Sequence, residues 1–283
     1  MRNSRFLLPP VLLWLSLFLV IPMLIVVGIS FLSRDTLGRV VFEFNLEGYR
    51  TFFDPLYLGI YWDTLVLSLL TTVICLLVSY PLAYYIANAS PRVQTWGLVL
   101  ITIPFWINFL IRTYAWVLLL RTQGVVNSAL LWLGWIDEPI QMLYTYGAVL
   151  MGMVYNFIPF MVLPIYVALE QMDKRLLDAA SDLGASRWKA FLHVTLPQSK
   201  SGIMTGAVLV YVSTSGMFVV TDILGGAKST MISNIIQTQF LGARNWPFGA
   251  ALSVIFVVTS LILILLFNRA MQARHQRVGE GRA

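Results

Sequence analysis

Six long apolar segments, separated by shorter polar stretches, run along the chain. A helix needs about 20 apolar residues to cross the hydrocarbon core of a bilayer, so each segment predicts a transmembrane helix. The predicted spans lie at about residues 6–32, 62–87, 95–120, 147–169, 202–224 and 248–267. The pattern therefore predicts an all-α integral membrane protein with a single transmembrane domain over residues 1–283.

The composition excludes the other broad classes of protein. Hydrophobic residues make up 58% of the chain, charged residues 11%, and the mean hydropathy is +0.78. Soluble domains carry roughly 25% charged residues, so this chain lacks the charge to cover a water-soluble globule. Disordered chains are polar and poor in aromatic residues. The first apolar run exceeds the roughly 7–15 residues of a signal-peptide core, so we expect a retained helix.

The distribution of basic residues predicts the orientation, because cytoplasmic loops carry an excess of Lys and Arg. With the N-terminus inside, twelve of the nineteen basic residues fall in inner segments: Arg2, Arg5, Arg92, Lys174, Arg175, Arg187, Lys189, Lys200, Arg269, Arg274, Arg277 and Arg282. Six fall in outer loops: Arg34, Arg39, Arg50, Arg121, Lys228 and Arg244. Both termini are therefore expected in the cytoplasm. The basic residues responsible for the net charge of +6 lie in loops between the apolar spans, so we expect no nucleic-acid partner.

Metal, disulfide and nucleotide chemistry are not expected of this chain. Its single cysteine, Cys75, lies within an apolar run, and His193 and His275 have no further ligands at metal-binding spacing. A phosphate-binding loop needs the pattern G-x-x-x-x-G-K-[ST]. The nearest string, residues 225–229, has alanine before the lysine. We therefore expect no cofactor on this chain.

The inner loop at residues 170–201 contains a predicted helix–turn–helix. Four apolar residues recur in it at helical spacing: Leu176, Leu177, Ala180 and Leu183. Gly184 is a suitable residue to end that helix, and Ser186 to cap a second one that Pro197 is expected to end. The alternative is an ordinary amphipathic helix pair packed on the bundle.

The spacing within this loop resembles the EAA loop of ATP-binding-cassette importer permeases. The matching residues are Asp178-Ala179-Ala180, Gly184 and Val194-x-Leu196-Pro197, with Asp and Val where the family pattern has Glu and Ile. In that family the loop is a coupling helix that fits a groove on the cytoplasmic ATPase. The resemblance thus implies ATPase coupling by six residues: Asp178, Ala179, Ala180, Gly184, Leu196 and Pro197.

Further segments resemble the spermidine/putrescine permease family, at residues 53–57, 104–106, 110–114, 130–137, 159–162, 224–228 and 245–250. The resemblance implies a type I ABC importer permease fold in a bacterial inner membrane. It implies three partners: a second homologous permease in a heterodimer, an ATPase pair that binds ATP and Mg, and a periplasmic polyamine-binding protein. The alternatives are an importer of another solute, such as an opine, iron or another cation, and an ion-gradient-driven secondary transporter. A membrane-embedded enzyme is disfavoured because no nucleophile–base set or metal cluster is present.

Polar residues in the spans are candidates for the substrate path, because buried charges in membranes usually face the bundle interior or a water-filled path. Three ionisable residues in the predicted outer half of the membrane qualify: Asp63, Arg112 and Asp222. Trp106 and Asn108, one to two turns deeper on the third span, and the aromatic Tyr114 are further candidates. Carboxylates would offset the charge of a polyamine, and aromatic faces would give cation–π contacts.

Structural roles are the alternatives for the three charged candidates. Arg112 would pair with Asp222 or Asp63 and tie helices together. Asp63 would stand at a helix start, where a carboxylate favours the helix dipole. Asn108, Arg112 and Phe105 or Trp106 are expected to share part of one helix face. Pro104 is expected to bend the third span, and Pro159 and Pro164 the fourth.

Overall fold

The computed structural model describes Pro10, residues 13–226 and residues 229–280. Predictions that concern Arg2, Arg5, Lys228 and the beginning of the first span lie outside the described residues. The chain divides into two compact units, one formed by Met1–Tyr61 and Ile232–Ala283 and the other by Trp62–Met231. The apolar pattern did not predict this division.

Helices dominate the described chain. The elements are α1 (Leu13–Ile29), β1 (Leu32–Arg34), β2 (Val40–Phe44), α2 (Glu47–Phe52), α3 (Pro55–Asn88), α4 (Pro91–Trp106), α5 (Phe109–Leu120), α6 (Val125–Trp132), α7 (Tyr146–Glu170), α8 (Arg175–Asp182), α9 (Arg187–Ala190), α10 (Leu196–Gln198), α11 (Lys200–Ser215), α12 (Phe218–Gly225), α13 (Ile232–Gln237) and α14 (Trp246–Glu280).

Three helices of the described residues are long and apolar enough to cross a membrane without interruption. They are Pro55–Asn88, Tyr146–Glu170 and Trp246–Phe267. Two further pairs of helices pass the same test together but are bent, so the described residues hold up to five such spans. The remaining apolar helix, α1, is shorter. The prediction of a helical membrane protein is confirmed, while the count of six spans stays a prediction.

Both bends fall inside predicted spans; the first lies close to Pro104, where a bend was expected, and the second where none was. Helix α4 meets the following helical stretch at 94°, and α11 meets α12 at 56°. The first break follows Pro104 by three residues, at Ile107, whose backbone is extended. The second follows Gly216, at Met217. The apolar pattern continues through both breaks, so it indicated the length of each segment but not its interruption.

Helix α3 begins earlier than predicted, and this changes the role expected of Asp63. The helix starts at Pro55, and the carboxylate of Asp54 accepts a hydrogen bond from the Leu56 N–H at 2.9 Å. Asp54 therefore caps this helix. The alternative that Asp63 interacts favourably with the helix dipole at a helix start is wrong, because Asp63 lies more than two turns inside α3.

The unit formed by the two ends of the chain contains a hairpin that the sequence did not predict. Strands β1 and β2 pair antiparallel, with Leu32 opposite Phe44. The ring of Phe31 stacks on the rings of Phe44 and Tyr49, and the Tyr49 hydroxyl lies 2.7 Å from Ser30 Oγ. Helix α2 packs on α14. The aromatic segment before α3 thus packs within its own unit.

The core of the other unit is built around α7. Its buried residues include Met153, Met161 and Ile165, each with no exposed surface. Helix α11 packs directly on it, because a Cβ added at Gly202 or Gly206 would lie only 2.7 Å from an atom of α7. Small residues at this spacing let two helix backbones approach closely in a membrane.

Candidate functional site

The helix–turn–helix at residues 170–201, which the charge distribution predicts on the inner side, begins with α8, and this helix ends as the sequence predicts. Gly184 has φ of +77°. Its N–H donates to the Ser181 carbonyl at 2.9 Å, and the Ala185 N–H donates to the Ala180 carbonyl at 2.9 Å. These two bonds form a Schellman motif. The positive φ explains the glycine, since residues with a Cβ rarely adopt this conformation.

The second half of this segment also begins as predicted but ends differently. The Ser186 side chain accepts a hydrogen bond from the Lys189 N–H at 3.4 Å and caps α9. A π-helical turn, Phe191–Thr195, follows. Pro197 then lies in the first turn of α10, where its missing N–H costs little. The prediction that Pro197 ends the helix is wrong, because the chain stays helical until Ser199.

The helix–turn–helix presents apolar side chains at its surface. Leu183 is 88% exposed and Trp188 is 68% exposed. Asp178, Ala179 and Gly184 are exposed as well. Large exposed apolar residues beside a turn are typical of a surface that another protein covers.

Phe191 connects this surface to the long helix α3. Its ring stacks on Trp188 at 5.5 Å and meets the rings of Tyr80 and Tyr84 edge-on at 5.7 and 5.8 Å. The Tyr80 hydroxyl lies 2.9 Å from Ser199 Oγ. Phe191 therefore links Trp188 to α3 through ring contacts. No sequence pattern indicated the two tyrosines, because they lie more than 100 residues before Phe191.

Arg112, on α5, bridges the broken third span. Its Nη1 donates to the Pro104 carbonyl at 3.1 Å, a group near the end of α4. The guanidinium carbon lies 5.8 Å from the ring centres of Phe109 and Tyr155. These contacts replace the expected ion pair: among the described residues, Arg112 is bonded neither to Asp63 nor to Asp222. The side chain is 9% exposed, so Arg112 connects α4 and α5 from inside the protein.

Asn108 accounts for the change in direction at this break. Its side chain accepts a hydrogen bond from the Leu110 N–H at 2.8 Å and caps α5. Trp106, on the other side of the break, is 90% exposed, and Tyr114 on α5 is 57% exposed. The expectation of one shared helix face is wrong, because the extended backbone of Ile107 separates Trp106 from Asn108 and Arg112.

Asp222 lies in the π-helical turn at the end of α12 and is exposed. This turn packs against α5 and α7. The Leu224 carbonyl accepts a hydrogen bond from the Tyr144 N–H at 2.9 Å, and a Cβ at Gly226 would lie 3.0 Å from the Tyr144 ring. The structure thus brings the Asp222 turn to the helix that carries Arg112, while Asp63 is exposed on α3.

Several buried polar atoms of this unit lack a hydrogen-bond partner. Among the described residues they include Arg112 Nε, Asn156 Oδ1 and Ser229 Oγ. Asn156 lies on α7 beside Tyr155, whose ring also meets Trp116 at 5.4 Å. These atoms are polar groups inside the unit whose hydrogen-bonding capacity is unused. No cluster of three or more His, Cys, Asp or Glu occurs in the described part of the chain.

The loop after α5, which the charge distribution predicts on the outer side, is held by one buried amide. Asn127 donates to the Ile140 carbonyl at 2.8 Å and accepts from the Ile140 N–H at 2.9 Å. The loop contains α6, and Trp132 at its end is 84% exposed. Trp135 is exposed as well. The loop therefore exposes two tryptophans, and the Asn127–Ile140 hydrogen bonds hold its backbone.

Comparison with known proteins identifies the family. Residues 79–280 match the family described as binding-protein-dependent transport system inner membrane component. The spermidine/putrescine transport system permease protein PotB of Escherichia coli K12 is 42% identical over 265 residues, which cover 94% of this chain and 96% of PotB. PotB of Haemophilus influenzae is also 42% identical, over 94% of this chain and 93% of its own length.

Solved structures share the fold. A bacterial ABC transporter that imports the acidic polysaccharide alginate has a chain with a TM-score of 0.77, at 19% identity over 95% of this chain and 94% of its own. A chain of the inward-facing MetNI methionine ABC transporter gives a TM-score of 0.57, at 15% identity over 78% of this chain and 98% of its own. With the matched family and the PotB relatives, these show a non-catalytic permease fold. The chain therefore belongs to the family of binding-protein-dependent transport system inner membrane components.

Proposed function

We propose that the chain is the permease subunit of an ATP-driven importer that moves polyamines, spermidine or putrescine or both, from the periplasm to the cytoplasm by alternating access. The observation that carries this proposal is the 41–42% identity to PotB proteins over 94% of the chain. A separate ATPase hydrolyses ATP, and the chain itself performs no covalent chemistry.

The ATPase contact in this proposal is the inner helix–turn–helix. Its support is the exposed surface around Asp178, Leu183 and Trp188, together with the ring contacts of Phe191 to α3. Closure of the ATPases would push on the turn at Gly184 and, through Leu196 and Pro197, on α11. Transmission of this push requires contacts between the exposed surface and the spanning helices, and the segment is connected to both α3 and α11.

The substrate path in this proposal runs past the break of the third span. A polyamine is a polycation at neutral pH, and cation–π contacts with aromatic faces contribute roughly 0.5–2 kcal/mol each. Trp106 and Tyr114 offer exposed aromatic faces on the two sides of the break. Asp222 would supply a carboxylate, on a turn that packs against the same helix.

Two further partners complete the assembly. We assign the exposed tryptophans of the outer loop, Trp132 and Trp135, to the side that meets a periplasmic polyamine-binding protein. A second, homologous permease would pair with this chain as a heterodimer. A structure related in fold is a complex of the alginate transporter with its periplasmic protein. The family places the chain in an inner membrane, and we propose that both termini are cytoplasmic.

Reconstituted uptake tests the function. We expect proteoliposomes that contain the chain, its second permease, the ATPase and the binding protein to accumulate labelled spermidine or putrescine only with hydrolysable ATP. Vesicles without the ATPase, and vesicles given a non-hydrolysable ATP analogue, are the controls. Accumulation driven by an ion gradient without ATP would identify a secondary transporter instead. ATP-dependent uptake of an opine or iron, without polyamine uptake, would refute the assigned substrate.

Cysteine labelling tests the orientation. We expect Glu138→Cys to react with a membrane-impermeant thiol reagent applied to intact spheroplasts and Ser186→Cys to stay unlabelled, because the charge distribution places residue 138 outside. Both positions are exposed. The wild-type chain is the matched control, since its single Cys75 is buried. The opposite labelling pattern would show that the orientation is reversed.

A further inference from the structure

The short helix that carries Asp222, α12, is interrupted at both ends. The extended backbone of Met217 separates it from α11. Gly226, with φ of +54°, ends it on the other side. Continuity with a neighbouring helix therefore does not orient α12, and its orientation comes from contacts with other elements.

Helix α7 supplies the apolar part of these contacts. Val220 and Leu224 of α12 have no exposed surface. A Cβ added at Gly152 of α7 would lie 3.2 Å from the Val220 side chain and would also meet Leu224. Asp222 is exposed, away from this buried side. Apolar contacts hold α12 against α7, but they are non-directional and leave the end of the helix to be fixed by a hydrogen bond.

Tyr144, which lies just before α7, supplies that hydrogen bond. Its N–H donates to the Leu224 carbonyl at 2.9 Å. The last carbonyl groups of a helix have no partner within the helix, so Tyr144 completes the end of α12 from a distant part of the chain. The Tyr144 ring also lies against Gly226, where a Cβ would be 3.0 Å from the ring.

Tyr144 makes these contacts in a backbone conformation that is uncommon for a bulky residue. Its φ is +61°, in the left-handed region where such residues are outliers. Its neighbours impose the conformation, because Leu143 is buried and the Thr145 side chain caps α7. Residues held in this way cluster at functional sites. The contact with α12 is the feature that the conformation serves.

We propose that Tyr144 is a positioning residue for polyamine transport, whose N–H fixes the last turn of α12 and thereby holds the Asp222 carboxylate at the substrate path. This inference rests on the proposed role of Asp222 in that path. Only Ile223 separates Asp222 from Leu224, so a rotation of this turn moves the carboxylate as well. Tyr144 itself need not touch the substrate.

Hydrogen exchange measures the contact without reference to the substrate. The assembled transporter is compared as wild type and as Tyr144→Val, because a β-branched residue does not hold a positive φ. We expect faster exchange in the variant for peptides that cover residues 140–146 and 218–226, and unchanged exchange for α11. Tyr144→Asn should exchange as the wild type does, since asparagine tolerates this conformation. Tyr85→Val, at an exposed helical tyrosine, is the matched control.

A double variant tests the consequence for transport. Tyr144→Val should lower polyamine uptake at least about fivefold, the factor equivalent to one typical hydrogen bond, with complex yield and basal ATP hydrolysis unchanged. In a chain that already carries Asp222→Asn, the same substitution should change uptake by no more than about twofold, because residues that act through one another are not additive. A purely structural role would lower uptake equally with and without the Asp222 carboxylate.

Gly226→Ala disturbs the same contact from the other side. Its Cβ would press on the Tyr144 ring at a positive φ, so uptake should fall as it does in Tyr144→Val. This variant keeps the test available if Tyr144→Val does not insert.

Two results would overturn the positioning role. One is wild-type exchange around residues 144 and 224 in Tyr144→Val, and the other is an equal loss of uptake in both Asp222 backgrounds. Unchanged uptake by Asp222→Asn would instead refute the substrate role of Asp222, and with it this inference. Hydrogen exchange distinguishes the two failures, because it reports on the Tyr144 contact alone.

Discussion

Uptake is expected to fall at least about tenfold when Gly184 is replaced by valine, a loss equivalent to about 1.4 kcal/mol. Gly184 has φ of +77°. A residue with a Cβ pays roughly 1–2 kcal/mol in this conformation, and a β-branched residue is a genuine outlier there. A Cβ at Gly184 meets nothing within 4 Å, so the effect arises from the backbone. The turn would lose its conformation and move Leu183 away from the surface that we propose contacts the ATPase.

Two controls isolate the backbone effect. Gly184→Asn should retain most of the uptake, because asparagine tolerates the left-handed conformation. Gly59→Val makes the same change at an exposed helical glycine with open space around it, and it should transport normally. The measurement is polyamine uptake and substrate-stimulated ATP hydrolysis in proteoliposomes with equal amounts of inserted protein. Normal uptake by a well-inserted Gly184→Val chain would remove the coupling role from this turn.

Replacement of Asp222 by asparagine is expected to lower polyamine uptake at least about tenfold while complex formation and basal ATP hydrolysis stay intact. The carboxylate is exposed on the turn at the end of α12, beside the helix of Arg112. Desolvating a cation without a nearby counter-charge costs several kcal/mol. Asp222→Asn removes such a counter-charge from the path that a polyamine would follow, so the loss should appear in transport.

The double variant distinguishes a substrate role from a structural one. If Asp222 and Arg112 tied helices together, Asp222→Asn would assemble poorly and Arg112→Gln would repair it. The structure favours the other outcome, because Arg112 is engaged by the Pro104 carbonyl and two aromatic rings. Asp137→Asn, in the outer loop, is the matched charge control. Unchanged uptake by Asp222→Asn would exclude the substrate role.

The features that the sequence predicted well are those fixed within a few residues. Gly184 and Ser186 take the places expected of them because helix capping depends on backbone groups only two to five residues away. The apolar segments were also located, since the length of a membrane helix follows from the thickness of the bilayer. Local helix capping and the thickness of the bilayer thus account for much of the fold.

The features that the sequence did not predict are of two kinds. Some depend on contacts between residues far apart in the chain, and others are helix breaks that hydropathy does not reveal. The contact of Tyr80 with Ser199 joins residues 119 positions apart, which no periodicity reveals. Ile107 and Met217 are themselves apolar, so hydropathy does not reveal the two breaks, although Pro104 indicated a bend near the first. The sequence indicated that Arg112 needs a partner within the membrane. In the structure the Pro104 carbonyl and two aromatic rings take this role in place of a carboxylate.

The close approach of α7 and α11 has a mechanical consequence. At Gly202 and Gly206 only a hydrogen atom fits between the helices, since a Cβ would lie 2.7 Å from the other helix. Sliding by one residue, about 1.5 Å, would bring Ile203 and Ala207 toward these gaps. This packing therefore opposes sliding of α11 along α7. The change of direction between α11 and α12 lies outside the contact, at Gly216 and Met217.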